Sequence, residues 1–186
     1  MIEIEKTPLE GVLLIKPQVF EDERGYFIET WQKDRYSHLG IDPIFLQDNH
    51  SVSRRGILRG LHYQINHPQG KLVSVSYGEV YDVVVDLRFN SPSYGKWFGA
   101  FISQTNHFQL WVPPGFAHGF LVMSEVAHFH YKCTDYYYPN DEGIIRWNDD
   151  TLGIQWPITS KPILSKKDAE APSFSNFSPV QYQCFQ

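Results

Sequence analysis

Cysteines and long apolar runs are scarce in this 186-residue sequence. Its two cysteines, Cys133 and Cys184, form neither a metal-ligand spacing nor a dithiol redox motif. No segment reaches the length of a membrane span, and the stretch MIEIEKTPLEGV carries acids where a signal peptide would carry bases. We therefore expect a cytoplasmic protein with no membrane partner.

An excess of positive charge is also missing. The 16 Lys and Arg residues are outnumbered by 21 Asp and Glu residues, and the net charge is −5. This balance argues against nucleic acid or an anionic membrane as a partner. It does not exclude a small anionic substrate, because a local cluster of Arg and Lys side chains can bind one.

The motifs of three large enzyme classes are absent. There is no G-x-S-x-G sequence, and neither cysteine has a nearby histidine suited to activating it. There is no Walker sequence and no G-x-G-x-x-G. Nucleophilic, phosphoryl-transfer and dinucleotide chemistry therefore lack support.

Aromatic residues are abundant, and short apolar runs recur between turns rich in Gly, Pro, Asn and Ser. The aromatic share of 16% favours strands, and VYDVVVDL is apolar almost throughout, as expected of a strand covered on both faces. We predict an all-β jelly-roll barrel or sandwich with a few short helices. The predicted strands are Val12–Ile15, Ile57–Gln64, Lys71–Tyr77, Val80–Leu87, Trp97–Ile102, Gln109–Val112, Gly119–Met123 and Ala127–Cys133.

Two further features concern the organisation of the chain. TWQKDRYSHLG, residues 30–40, is the one fair helix candidate, with Gly40 as its C-terminal cap. No linker divides the chain, so we expect a single domain over residues 1–186. Its tail, from about residue 169, is expected to pack across the surface or against a partner chain.

A metal site is disfavoured. Jelly rolls often bind metal through an HxH pair, since alternate strand residues share a face. The pair His128-x-His130 exists, but alternation puts it opposite Phe129, Tyr131 and Cys133, which look like the inward set. In LHYQ, the position where a second ligand would follow His62 is Gln64, and an amide is a poor ligand for a transition metal.

Proton transfer is the chemistry that remains. An imidazole such as that of His62 is a common general base, and a carboxylate partner would orient its ring. Lys71 opens a strand, from which its ammonium could reach a barrel mouth, and YKCTDYYYP offers several phenols. A His, a Lys and a Tyr together suit proton abstraction beside a carbonyl group. Each residue taken alone has an ordinary structural explanation.

Several motifs together resemble one family. They are EDERGYFIETW, LQDNHSVSRRGILRGLHYQ, PQGKLVSVSYGEVYDVVVDLR, VPPGFAHGFLVMSE, YKCTDYY and EGIIRWNDDTLGIQWP with LSKKDAEAP. Their order and spacing are similar to those of the dTDP-4-dehydrorhamnose 3,5-epimerases, over about residues 5–173. The resemblance implies a cupin jelly roll that acts without metal or other cofactor, usually as a homodimer. It also implies inversion of C3 and C5 of dTDP-4-dehydro-6-deoxy-D-glucose, which gives dTDP-4-dehydro-L-rhamnose.

The resemblance also implies roles for individual residues. It makes His62 the catalytic base, Asp168 its carboxylate partner, Tyr131 the proton donor and Lys71 the group near the keto oxygen. It places Arg24 and Glu29 in the neighbouring subunit's site. The full set of substrate-binding residues that it implies is Arg24, Glu29, Gln47, Asp48, Asn49, Arg59, His118, Tyr137, Glu142 and Lys167.

Some questions stay open at this point. The enzyme could invert only one of C3 and C5, or the chain could be a metal-dependent cupin or a non-catalytic nucleotide-sugar-binding protein. Either Asp82 or Asp86 is expected to pair with a cation or with His62. Simple alternation would put Arg59 opposite His62, so we predict that Gly60 marks a bulge or twist that re-aims the arginine.

Overall fold

Short strands dominate the computed structural model, which describes residues 1–177. Cys184 and the tail beyond residue 177 lie outside the described residues. Two short helices, α1 (Lys33–Ser37) and α2 (Lys166–Ala169), and a 3-10 turn at Phe174–Asn176 accompany the strands. The strands are β1 (Glu3–Lys6), β2 (Leu13–Lys16), β3 (Val19–Asp22), β4 (Gly25–Ile28), β5 (Gln47–Arg54), β6 (Leu58–Gln64), β7 (Lys71–Tyr77), β8 (Glu79–Asp86), β9 (Trp97–Ser103), β10 (Gln109–Val112), β11 (Phe116–Val122), β12 (Val126–Cys133) and β13 (Glu142–Ile144).

Two antiparallel sheets form the body of the molecule. The first has the order β1-β2-β10-β7-β12-β5 and the second β13-β6-β11-β8-β9, while β3 and β4 form a separate two-stranded hairpin. A cluster of aliphatic and phenylalanine side chains fills the space between the two sheets, and removing this apolar area from water stabilises their packing. The jelly-roll prediction is confirmed.

Further apolar clusters cover the outer faces of both sheets. Residues 145–177 pack Ile154, Trp156 and Phe174 over the second sheet. Tyr36 and Ile41 pack with Trp111 over part of the first sheet. Because β8 lies between the core and the outer layer, its valines are buried on both faces, as its unbroken apolar run predicts.

The local predictions are largely confirmed. Lys71–Tyr77 and Gln109–Val112 are strands with the predicted bounds, and the other predicted strands differ from the observed ones by a few residues at their ends. The helix is shorter than the predicted 30–40 because it occupies only Lys33–Ser37. Gly40 follows the helix with a left-handed φ of +82°, a conformation that glycine adopts at low cost after a helix.

The predicted irregularity at Gly60 is present. His62 pairs with His118 and Arg59 pairs with Phe120, so β6 uses three residues where β11 uses two. Gly60 has a φ of +118°, and a Cβ placed there would lie 2.5 Å from the Gly119 Cα. The extra residue turns Arg59 and His62 towards the same side of the strand, which simple alternation forbids.

The C-terminal segment is joined to β6. Ile163 forms a parallel bridge with Ile57, and the Leu58 amide donates to the Ile163 carbonyl at 3.0 Å. This contact brings α2, which begins three residues after Ile163, beside the bulge. No helix in the described part of the chain has the length and apolar character needed to cross a membrane.

We expect Gly60→Ala to lower the free energy of unfolding by about 3–5 kcal/mol, because the new Cβ must displace backbone as well as adopt a left-handed φ. The matched control is Gly25→Ala, where φ is +119° but no atom lies within 4 Å of the added Cβ. That variant should lose only about 1–2 kcal/mol. Chemical denaturation measures both. Equal losses of unfolding free energy in the two variants would show that the close approach of β6 and β11 does not add to the destabilisation of Gly60→Ala.

Candidate active site

A cavity of about 330 Å³ opens between the two sheets. Strands β5, β7 and β12 of the first sheet form one wall, and β6 and β11 of the second sheet form the other. Side chains from sequence-distant strands therefore face each other across it. The predicted site residues that line it are Gln47, Asn49, Arg59, His62, Lys71, His118, Tyr131, Tyr137 and Glu142.

His62 forms a hydrogen bond with Asp168 on the side of the ring that carries Nε2. The Nε2–Oδ1 distance is 2.7 Å, and Asp168 is only 3% exposed. An ionised Asp168 accepts the Nε2 proton, which leaves Nδ1 as the nitrogen that can take up another proton. Nδ1 lies 3.7 Å from the Glu142 carboxylate.

Asp168 is itself held from three directions. The Ser165 hydroxyl caps α2 by accepting from the Asp168 amide and donates to the Asp168 carboxylate at 2.7 Å. The Gly60 amide points at the same carboxylate from the bulge, at 3.4 Å. Burial alone would raise the pKa of Asp168, but the hydrogen bonds from His62 and Ser165 outweigh it, and the pKa lies below its ordinary value.

Tyr131 stands on the opposite wall from His62. It is a β12 residue of the first sheet, whereas His62 is a β6 residue of the second, and both line the cavity. Burial raises the pKa of the Tyr131 phenol above its ordinary value of 10.0. The phenol is therefore protonated at neutral pH and can donate a proton.

Lys71 places an ammonium group in the cavity wall. The residue is 9% exposed, and its ammonium makes no hydrogen bond or ion pair within residues 1–177. Burial lowers the pKa of Lys71 below 10.5, and the nearby carboxylates of Glu142 and Asp82 act in the opposite direction. A buried cation without a close partner is suited to an oxygen atom of a bound molecule.

Glu142 connects the residues at one end of the cavity. Its carboxylate accepts from the Tyr137 hydroxyl at 2.7 Å and from the Lys167 ammonium. The hydrogen bond to Glu142 raises the pKa of Tyr137 to about 12. The Tyr137 amide also donates to the Gln47 side chain at 2.9 Å, so this end is a network of polar groups around an aromatic ring.

The two aspartates of β8 have different partners, and neither pairs with His62. Asp86 accepts from the Arg88 guanidinium, as predicted for one of the two, and also from Ser91 and Ser93. Asp82 accepts from His118, with distances of 2.9 and 3.0 Å to its two oxygens. His62 pairs instead with Asp168, far along the chain.

Three predicted residues lie away from this cavity. Arg24 is at the tip of the β3–β4 hairpin, where it pairs with Asp22. Glu29 pairs with Arg35. Asp48 points to the outer face of β5 and pairs with Lys132 at 2.9 Å.

Several cavity residues were not predicted from the sequence. Ser51 and Phe129 line the cavity, and the buried Ser51 hydroxyl has no hydrogen-bond partner among the residues described. Alternation from Asn49 along β5 would have identified Ser51. Gln64 has a structural role, since its side-chain amide donates to the backbone carbonyls of His67 and Tyr136.

The HxH pair faces away from the cavity, as strand parity predicts. Phe129 and Cys133 are buried, whereas His128 and His130 lie on the outer face, where the His130 ring stacks on His50 with centroids 4.2 Å apart. In the described residues, no group of three or more His, Cys, Asp and Glu side chains could hold a metal ion.

Comparison with known proteins gives one consistent family. The family model described as dTDP-4-dehydrorhamnose 3,5-epimerase matches residues 6–176. A dTDP-4-dehydrorhamnose 3,5-epimerase of Salmonella typhimurium is 50% identical over 174 residues, which cover 92% of this chain and 95% of that protein. One of Neisseria gonorrhoeae is 52% identical over 167 residues, which cover 90% of this chain and 51% of that longer protein.

A solved structure agrees with these relatives. The crystal structure of dTDP-6-deoxy-D-glucose-3,5-epimerase from Legionella pneumophila, in complex with dTDP-4-keto-L-rhamnose, is 47% identical in sequence. It aligns with a TM-score of 0.95, over 98% of this chain and 100% of that one. With the family model matching nearly the whole chain, this chain belongs to the dTDP-4-dehydrorhamnose 3,5-epimerase family.

Proposed function

We propose that the protein inverts C3 and C5 of dTDP-4-dehydro-6-deoxy-D-glucose, giving dTDP-4-dehydro-L-rhamnose for L-rhamnose synthesis. The observation that carries the proposal is the pairing of groups across one cavity. The His62–Asp168 pair is on one wall and the protonated phenol of Tyr131 is on the other. The buried ammonium group of Lys71 also lines this cavity. The names of the relatives and the sugar nucleotide bound in the Legionella structure support the same substrate.

The chemistry needs only proton transfers, because the 4-keto group acidifies the hydrogens on both neighbouring carbons. His62 Nδ1 takes the proton from C3 or C5, and the electron pair of the broken C–H bond forms an enolate. Lys71 donates to the enolate oxygen, where the negative charge collects. Tyr131 then protonates the carbon from the opposite face, which inverts it. Proton exchange with solvent restores His62 and Tyr131 for the second carbon.

Asp168 acts through the base. By accepting the Nε2 proton it directs Nδ1 towards the substrate, and its charge stabilises the imidazolium that forms when the proton is removed. The depressed pKa of Asp168 keeps the carboxylate ionised over the whole neutral range. Proton abstraction by the His62–Asp168 pair therefore needs no metal ion and no organic cofactor.

The remaining cavity residues, together with Lys167 beside Glu142, are proposed to hold the nucleotide. Arg59, Gln47, Asn49 and Lys167 supply donors for the diphosphate, and the guanidinium fork suits phosphate oxygens. Tyr137 is proposed to stack on thymine, and Glu142 and His118 are proposed to contact the sugar nucleotide. Asp48 points to the outer face of β5 and is not among these contacts.

We also propose a cytoplasmic, single-domain homodimer in which each subunit completes the other's site. The β3–β4 hairpin supports this, because a two-stranded ribbon alone is marginally stable in water. Its Phe20, Tyr26 and Phe27 side chains are all more than half exposed. Docking on a second copy would cover them and would bring Arg24 and Glu29 to that copy's cavity.

Replacing the base and the acid should have different effects. His62→Asn should abolish product formation, because proton abstraction by a general base typically contributes about 10²–10⁴-fold to the rate. Tyr131→Phe should still exchange substrate protons with D2O, but with little inversion, since His62 returns the proton to the face it came from. Product stereochemistry and deuterium content are read by NMR. Normal turnover of His62→Asn would show that the base is misassigned.

Activity should also fall on the alkaline side at a pH below 10.5. The ammonium of Lys71 is lost as the pH rises through its lowered pKa, and oxyanion stabilisation is lost with it. Lys71→Met should reduce kcat by about 10²-fold at neutral pH. Lys71→Arg, which stays charged, should move the alkaline decline to higher pH. If the decline in the pH profile of kcat keeps its position in Lys71→Arg, another group causes it.

A heterodimer tests the shared site. His62→Asn and Arg24→Ala subunits are co-expressed with different tags, and tandem purification isolates the mixed dimer. Each mutant homodimer should be nearly inactive, but the mixed dimer has one site with both residues intact and should recover about half of the wild-type activity. An inactive mixed dimer, or a protein that is monomeric by light scattering, would contradict the proposed exchange of Arg24.

A further inference from the structure

A second His–Asp pair lies beside the first. His118 on β11 is the direct cross-strand partner of His62 on β6, so the two rings line the cavity as neighbours. The Nε2 atom of each ring forms a hydrogen bond with a buried carboxylate, which is Asp168 for His62 and Asp82 for His118. Asp82 has no exposed surface and does not line the cavity.

Asp82 makes fewer hydrogen bonds than we would expect of a purely structural acid. Within residues 1–177 the only hydrogen-bond partner of its side chain is His118, and its same-face neighbours on β8, Val80 and Val84, are buried. Asp86, four residues along the same strand, shows what a structural acid looks like here: it accepts from Arg88, Ser91 and Ser93 and so organises the following loop. Replacing both members of a buried charged pair by apolar residues of similar volume is often neutral or stabilising, so stability alone does not explain the Asp82–His118 pair.

We propose that Asp82 is a positioning residue of the active site. Through both oxygens it fixes the ring of His118 in the Nε2–H tautomer and leaves Nδ1 as the nitrogen available to the bound sugar nucleotide. The inference rests on the proposed function, since the ligand of His118 is taken to be that substrate. It concerns how the second imidazole is oriented and adds no second base to the reaction.

The charges around Asp82 favour this arrangement. Burial raises the pKa of Asp82, while His118 on β11 and Lys71 on β7 act in the opposite direction. Asp82 in turn is one of the negative charges that counter the effect of burial on Lys71. The Asp82 carboxylate thus interacts with two groups that line the cavity, His118 and Lys71. A protonated Asp82 would reverse the hydrogen bond and impose the other tautomer on His118.

The direct test is the tautomer of His118 in the wild-type protein, read from the ¹⁵N chemical shifts of its ring at neutral pH. We expect Nε2 to carry the proton and Nδ1 to be bare. Asp82→Asn should remove this preference, because an amide can donate to Nε2 as well as accept from it. A wild-type ring protonated on Nδ1 alone, or a tautomer unchanged in Asp82→Asn, would overturn the proposal whether or not the enzyme has the proposed activity.

Kinetics of matched variants give a second readout. Asp82→Asn should lower kcat by about 10–100-fold, as for other groups that orient an active-site histidine, with affinity for dTDP alone within about twofold of wild type. Asp86→Asn, the control on the same strand, should lower the melting temperature and leave kcat unchanged. In a His118→Gln background, Asp82→Asn should cost nothing further. A full additional loss there would show that Asp82 does not act through His118.

The two failures are distinguishable. A wild-type protein that does not convert dTDP-4-dehydro-6-deoxy-D-glucose refutes the proposed function, and the tautomer measurement still decides the role of Asp82. An active wild type whose Asp82→Asn variant has normal kcat refutes the role of Asp82 alone. If Asp82→Asn does not fold, the wild-type tautomer remains the deciding measurement.

Discussion

The close approach of β6 and β11 at Gly60 and Gly119 determines the geometry of the whole site. Neither strand tolerates a Cβ at this contact, and the extra residue of β6 is accommodated by a left-handed glycine. The consequence is that Arg59 and His62, three residues apart, face one cavity. The Gly60 amide also points at Asp168, so the same irregularity helps to place the carboxylate that orients the base.

The jelly roll divides the proposed reaction between its two sheets. The second sheet carries the imidazoles of His62 and His118 with their carboxylates, and the first carries Tyr131 and Lys71. A flat sugar held between the sheets would meet a base on one side and an acid on the other, which is what inversion of a carbon requires. Burial keeps the phenol protonated and strengthens the fields of the nearby charges.

The features that follow from local pattern could be predicted from the sequence. The apolar runs of β7, β8 and β10 identified buried strands, and the parity of β12 put Phe129 inwards and His128 outwards. Strand β5 escaped notice because QDNHSVSR has polar residues on both faces: one face lines the cavity and the other carries exposed partners such as Asp48. Its polarity reflects its position at a sheet edge beside the site.

Contacts between distant segments could not be read from pattern. His62 and Asp168 are 106 residues apart, and only resemblance to a family joined them. The choice between Asp82 and Asp86 depended on which side chains the fold brings into reach: Arg88 and a serine loop for one, His118 across a strand for the other. The same limit applies to Arg24, whose proposed partner lies on another subunit.

The central claim is that a base and an acid act on opposite faces of one sugar ring. The most direct test is a crystal structure of His62→Asn bound to dTDP-4-dehydro-6-deoxy-D-glucose, in which the substrate is trapped. We expect the sugar between residue 62 and Tyr131, with the hydrogens of C3 and C5 directed towards residue 62 and the keto oxygen within hydrogen-bond distance of Lys71. A sugar with residue 62 and Tyr131 on the same face, or with its keto oxygen away from Lys71, would contradict it.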